Sequence, residues 1–301
     1  MMKRQEGLSL VFCMALLLLC ACSTEKGEDR PRVWSTLTPA FSMEDGVSYH
    51  TERSERTERA IAEQGYLPCG VSYTLYKDGE LMLQNGRLTD YLSEVPVIQK
   101  NLERISRISF DAGVTEIGAN TCKGMEKLQK VSFGQELAII GSQAFIDCRT
   151  LVEIHFSSAL QYVGDGAFAG CTSIRSIELP EDTCAIIEKN AFSGCSGLME
   201  LCLPENGAIS FGERAFSNCT SLGIVRLTKA VTGIGNNCFQ DCTGLSTAEI
   251  GENVQNMGQW LFTNCTSLRK VIFACSAISS EALINCTSLT SIDVRPGVLT
   301  I

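Results

Sequence analysis

IGSQAFIDCRTLVEIHF, from Ile140 to Phe156, is followed by VGDGAFAGCTSIRSIEL from Val163 and IEKNAFSGCSGLMELCL from Ile187. The same pattern returns as FGERAFSNCTSLGIVRL from Phe211, IGNNCFQDCTGLSTAEI from Ile234 and MGQWLFTNCTSLRKVIF from Met257. A shorter copy, ISSEALINCTSLTSIDV, starts at Ile278, and a divergent one, IGANTCKGMEKLQKVSF, starts at Ile117. These are eight units, stepping mostly by 23 or 24 residues and once by 21. Self-similarity at a fixed period of this size is the signature of a repeat architecture.

Each unit has one physical grammar. Ala144, Phe145, Cys148 and Leu151 fall at i, i+1, i+4 and i+7, which predicts one buried side of a short helical turn. Ile154-His155-Phe156 and Ile177-Glu178-Leu179 then alternate with period two, predicting a short strand with one buried face. Pro180 and Pro204 end two of these strands. A second apolar pair, such as Val231 and Ile234, is a candidate second strand. No unit can bury its apolar face alone, but stacked units can. The expected fold is a repeat solenoid with a parallel β-sheet on one face and short helical turns on the other. At ~4.8 Å per strand the repeats would extend ~35–40 Å.

The pattern I-G-x-x-A-F-x-x-C-x-x-L-x-x-I-x-L resembles the leucine-rich repeat of bacterial BspA-like surface proteins, also called the Treponema type, across residues 105–301. The segment before it is similar to that family's amino-terminal module. Tyr73 to Tyr91 reads as a β-hairpin turning at Asp78-Gly79. Ile108 to Phe110 matches the strand at Leu128–Phe133 and gives a ninth strand. Residues 66–104 are therefore expected to form a β-hairpin cap. The departures are Cys122 for Phe, Met125 for Cys, and Glu188 and Ser279 for Gly. The resemblance implies adhesion to host extracellular proteins or to other cells.

At the amino terminus, Lys3 and Arg4 precede an apolar run from Leu8 to Leu19. That run is shorter than the ~20 residues a membrane-spanning helix needs, and it fits a signal-peptide core. It leads into Leu19-Cys20-Ala21-Cys22-Ser23, which resembles a bacterial lipobox with Cys22 as the lipidated residue. Two acyl chains there would supply a stable anchor. The expected organisation is a lipoprotein signal peptide at 1–21, a charged tether at 22–65, the cap at 66–104 and the solenoid at 105–301. The expected location is the bacterial cell envelope, at the outer membrane or cell surface, with membrane attachment through the lipid anchor only.

Composition narrows the chemistry. The 301 residues carry 25 Lys and Arg against 34 Asp and Glu, a net charge of −9, with no basic block. That disfavours nucleic acid as a partner. Only two histidines, His50 and His155, stand beside 16 cysteines, and no CxxC pair occurs. Seven cysteines share one place in the repeat: Cys148, Cys171, Cys195, Cys219, Cys242, Cys265 and Cys286. Each follows the buried Phe or Leu by three residues. They read as a packed ladder of small thiols, although export leaves pairing between rungs open. Cys184 and Cys275 replace core valines, and Cys238 replaces the core alanine. No metal or cofactor is expected.

The residue between the two buried apolars of each strand points outward. Along the chain these are Ser109, Ser132, His155, Glu178, Cys202, Arg226, Glu249, Ile272 and Asp293. A flanking row holds Arg107, Lys130, Glu153, Ser176, Glu200, Ile224, Thr247, Lys270 and Ser291. Solenoids use such free rows as binding surfaces. Ser109, Ser132, His155, Glu178, Arg226, Glu249 and Asp293 are the candidate contact residues. Their expected partner is a host or bacterial surface protein, extracellular matrix included.

Ser132, His155 and Glu178 in line raise nucleophilic catalysis. An open sheet offers neither a nucleophile elbow nor an oxyanion hole, so a polar row is the stronger reading and no enzyme is expected. Glycan binding is the alternative. It favours aromatic platforms, and the rows hold no Trp or Tyr; Trp260 sits on the turn side. Asn218, Asn264 and Asn285 match a glycosylation sequon but read as repeat consensus. The last unit shows no cap, and an open solenoid end is expected to self-associate weakly or to leave the final unit mobile.

Overall fold

The computed structural model describes residues 59–295, apart from 90, 112, 276, 277 and 280. The signal peptide, most of the tether and the last six residues lie outside the described residues. The cap holds β1 (Ile61–Tyr66), β2 (Ser72–Tyr76), β3 (Glu80–Gln84) and β4 (Gly86–Leu88), then a 3-10 turn at Leu92–Glu94 and one short helix, α1 (Pro96–Gln99). The repeats begin with β5 (Arg107–Phe110), β6 (Val114–Ile117), β7 (Lys130–Phe133), β8 (Ile139–Ile140), β9 (Glu153–His155) and β10 (Tyr162–Val163). They continue with β11 (Ser176–Glu178), β12 (Cys184–Ile187), β13 (Glu200–Cys202), β14 (Ala208–Phe211) and β15 (Ile224–Leu227). The last are β16 (Val231–Ile234), β17 (Thr247–Ile250), β18 (Asn256–Met257), β19 (Lys270–Phe273) and β20 (Ser291–Val294).

From β5 to β18 each coil contributes one strand to each of two faces, and neighbouring repeat strands within a face pair in parallel. Face A runs β1-β2-β3-β5-β7-β9, then β11-β13, then β15-β17-β19-β20. Face B is one sheet of eight strands, from β4 through β18. The second apolar pair of each repeat is thus a strand, and face B is the more continuous sheet. The cap joins face A by its hairpin: β2 and β3 are antiparallel, and β3 pairs in parallel with β5. β1 also pairs with β2, so the expected tether boundary at 65 falls inside a strand. The apolar alternation of Leu81 and Leu83 continues that of Ile108 and Phe110, which is why the hairpin can extend the stack.

Between the faces, side chains from successive coils form columns. Phe145, Phe168, Phe192, Phe216, Phe239 and Phe262 are all fully buried. Their rings stack with centroids 5.0, 5.2, 5.4, 5.5 and 5.7 Å apart. Offset aromatic stacks of this spacing add to the gain from burial. Leu151, Ile174, Leu198, Leu222, Leu245 and Leu268 form a second fully buried column.

The third side of the coil is not helical. Among the described residues the repeats contain turns where short helical segments were expected. The amides of Ala144, Ile146 and Cys148 bond locally, to Gly141, Gln143 and Phe145. Those of Gln143, Phe145 and Asp147 donate instead to Asp165, Ala167 and Ala169 of the next coil, at 2.8, 2.7 and 2.8 Å. Alternating local and between-coil bonds leave no i→i−4 series for a helix to use. Two residues per turn adopt left-handed backbone. The one before the ladder cysteine is always Gly, Asp or Asn: Asp147, Gly170, Gly194, Asn218, Asp241, Asn264 and Asn285. These residue types tolerate that conformation best, so the apparent sequons have a backbone reason. Trp260 takes the other left-handed place, at φ 57°, and is half-buried.

Face A splits at two seams, β9 against β11 and β13 against β15. Counting from the last core-packed residue of face A to that of face B, 156 to 163, 227 to 234 and 250 to 257 are seven steps. In contrast, 179 to 187 and 203 to 211 are eight. The seams flank these two longer coils, which begin their connections with Pro180 and Pro204. Coils of equal length stack in register; a change of one residue offsets the strands. The two long connections press closely together, and a Cβ on Gly207, whose φ is +125°, would lie 2.2 Å from the Thr183 carbonyl oxygen.

Candidate binding face

The outward row of face A is in register wherever strands pair. Met82 stands opposite Ser109, Ser109 opposite Ser132, and Ser132 opposite His155. Beyond the first seam, Glu178 is opposite Cys202. Beyond the second, Arg226, Glu249, Ile272 and Asp293 follow in line. The alternation that buries Ile154, Ile177 and Val225 turns His155, Glu178 and Arg226 to solvent. Ser109, Ser132 and Glu249 are half-buried.

The row divides by its ion pairing. At the cap end, Ser109 Oγ donates to Glu80 Oε1 at 2.6 Å, and Arg107 pairs with Asp78 at 2.8 Å. Lys130 Nζ lies 2.6 Å from Glu153 Oε2 and holds that carboxyl below the usual carboxylate range through its hydrogen bond and its charge. At the other end, Arg295 Nη2 meets Glu249 Oε1 at 2.6 Å. Among the described residues, the side chains of His155, Arg175, Glu178, Glu200 and Arg226 have no hydrogen-bond or ion-pair partner. Met82, Asp78, Glu80 and Arg295 were not among the sequence candidates. The hairpin's Leu81-Met82-Leu83 alternation carried the signal for the first three.

Ser132 and His155 share a register, but the seam removes strand pairing between His155 and Glu178, and no hydrogen bond joins the three among the described residues. A shallow cleft of about 250 Å³ opens at the rim of β15 and β17, lined by Glu205, Arg226, Lys229, Glu249, Glu252 and Arg295 with Thr228, Leu227, Gly251 and Ala274.

The ladder cysteines are buried thiols from Cys148 to Cys265, and Cys286 at the end is half-buried. Cys171, Cys195, Cys219, Cys242, Cys265 and Cys286 donate S–H to the carbonyls of Phe145, Phe168, Phe192, Phe216, Phe239 and Phe262, at 3.1–3.4 Å. Burial pushes the Cys148 and Cys195 thiols up to about 12. No group of three or more His, Cys, Asp and Glu among the described residues is arranged to hold a metal ion. None of the described helices is long and apolar enough to cross a membrane. Cys22 lies outside the described residues.

The chain matches the family model of the BspA type leucine-rich repeat region in six copies, over residues 99–208 and 185–301. It is similar to the crystal structure of a leucine-rich repeat protein from Bacteroides ovatus, with 19% identity and a TM-score of 0.54 over 80% of this chain and 77% of that one. A leucine-rich repeat protein of T. pallidum is 21% identical with a TM-score of 0.49, over 68% of this chain and 87% of that one. At 19% identity the likeness to the Bacteroides ovatus protein bears on fold alone. No curated protein matches.

Proposed function

Because the chain belongs to the BspA type leucine-rich repeat family, we propose that it is an exported lipoprotein whose solenoid binds other macromolecules through face A. One observation carries the reading: face A presents a registered row of outward side chains that differ from coil to coil while the core beneath repeats. Ser132, His155, Glu178, Arg226, Glu249 and Asp293 share a place and range from hydroxyl to imidazole, carboxylate and guanidinium. Packing does not dictate them, and a varied row on a rigid stack is what a macromolecular contact surface requires. The partner is a host or bacterial surface protein, matrix components included, and the activity is adhesion. The lipobox-like Leu19–Cys22 stretch supports anchoring through Cys22 at the outer membrane or cell surface.

The test is retention of proteins from matrix and envelope extracts on the immobilised protein. His155→Ala with Glu178→Ala and Arg226→Ala on face A should abolish retention. Gln161→Ala with Asn256→Ala on face B should not. Equal retention by both variants rejects the face. No retained protein, together with glycan-array hits, favours glycan binding. Intact-mass measurement of the mature protein checks Cys22, with a diacylated N-terminal cysteine as the expected species.

A further inference from the structure

We propose that the β11–β13 block of face A docks a polypeptide segment in which Lys or Arg residues alternate with apolar ones. This rests on the binding-face reading above and specifies the partner's chemistry.

The carboxylates of this block outnumber the one unpaired cation directly before β11, Arg175. Glu178, Glu181, Asp182, Glu200 and Glu205 belong to the two longer coils and their connections. Among the described residues, none of their side chains has an ion pair or hydrogen bond. Most carboxylates elsewhere on the face are matched, Glu80 by Ser109 and Arg107, Glu153 by Lys130 and Glu249 by Arg295, with Asp293 at the far end the exception. Ser176 stands opposite Glu200 and Glu178 opposite Cys202, so the two glutamates are diagonal neighbours, roughly 7–8 Å apart. Like charges so placed repel. Both act on Cys202, whose thiol is raised first by partial burial and then by Glu200 and Glu178.

The same block exposes apolar surface. Met199 is 48% exposed and Ile224, across the seam, is 44% exposed. Exposed apolar side chains beside charged ones are what a protein-docking surface offers. The carboxylates here need cations, and Met199 and Ile224 need aliphatic contact. An anionic lipid surface or nucleic acid would be repelled. The block has no aromatic platform for a sugar.

Binding of labelled peptides followed by fluorescence anisotropy tests this. The probes are a peptide alternating Lys and Leu, its Glu–Leu counterpart and an oligolysine of equal length. The full chain should bind the Lys–Leu peptide best, and added salt should weaken that binding. Glu178→Gln with Glu200→Gln should weaken it about tenfold, as should Met199→Ser with Ile224→Ser. Glu213→Gln, on the turn side, should leave it unchanged. All five exchanges are at exposed sites, and an unaltered melting curve verifies the fold. No binding by the wild type, equal binding by the Glu178/Glu200 variant, or equal binding of the Glu–Leu peptide overturns the proposal. Oligolysine binding as tightly, with the Met199/Ile224 variant unaffected, also overturns it by reducing the effect to charge alone. A negative peptide result beside face-A-dependent retention of extract proteins would defeat this proposal and leave the binding-face reading standing.

Discussion

The thiol of Cys171 donates to the main-chain carbonyl oxygen of Phe145, one coil earlier, across 3.1 Å. That carbonyl sits in a turn where amides alternate between local and between-coil partners; it accepts the Cys148 amide at 3.2 Å, and the thiol is its second donor inside the core. A ladder cysteine is therefore a small apolar filler with one donor aimed at the preceding winding. Cys171→Ala keeps the apolar character and removes the thiol's bond, while the Cys148 amide still donates to the same carbonyl. The expected loss is about 0.5–1.5 kcal/mol in denaturant unfolding. Cys171→Ser retains a donor and should lose less. Equal or greater stability of the alanine variant would show that packing alone explains the cysteine.

Alkali should unfold the protein through the same thiols. Burial raises Cys148 and Cys195 from 9.0 to about 12, and raises Cys171 and Cys219 well above 9.0. Below pH 9 folded and unfolded thiols are both protonated, so the stabilisation is fully present. As pH rises above the unfolded value, the unfolded chain releases protons that the folded chain retains. Stability then falls by about 1.4 kcal/mol per pH unit for each such thiol until its folded value is reached. Circular dichroism against pH should show steep loss between pH 9 and 12. Replacing Cys148 and Cys195 with Ala should make that slope shallower. Thiol reagents at pH 8 should label exposed Cys202 before either of these.

Phe192 lies 5.2 Å from Phe168 and 5.4 Å from Phe216, with the three rings nearly parallel. Phe192→Ala removes a ring from the middle of the column, and neighbouring coils cannot close the gap without breaking their own register. The expected cost is about 3–5 kcal/mol. Stability in a solenoid is a sum of coil and neighbour terms. The variant should therefore unfold in two denaturant steps where the wild type shows one. A single unaltered transition would remove the column from its structural role.

The Phe column and the strand positions were legible in the sequence because both follow from spacing: Phe145, Phe168 and Phe192 recur in step, and Ile154 and Phe156 alternate. The turn was misjudged because Ala144, Phe145, Cys148 and Leu151 have a spacing that a helical turn and this turn both satisfy. The deciding signal was the Asp147, Gly170 and Asn218 place, filled only by residue types that accept left-handed backbone. The face A row was legible residue by residue, since outward positions alternate with Ile154 and Ile177. Its ion pairing was not. Whether Lys130 reaches Glu153 while Glu178 finds no cation depends on rotamers and strand offset, which period counting does not contain. The seams arise from one extra residue in each of two connections, a difference small enough to pass as ordinary repeat variation.

Those seams make the last prediction. The amides of Lys130 and Gln129 bond to Ser106 at 3.2 and 2.8 Å, closing β7 onto β5. In β11 the amide equivalent to that of Lys130 is that of Ser176, with Glu178 two residues further along the same edge, and no backbone hydrogen bond joins β11 to β9 among the described residues. Opposite them on face B, Ile186 still donates to Gln161 at 3.0 Å, so the coils remain held together. Amide exchange reads each backbone group separately and tracks local opening. Ser176 and Glu178 should exchange much faster than Lys130 and Ile186 in the native protein. Shortening both connections by one residue, at Glu181 and Glu205, should restore equal coil lengths and slow the two amides. Equal protection of Ser176 and Lys130 in the unaltered chain would mean that the two longer coils pair across the seam after all.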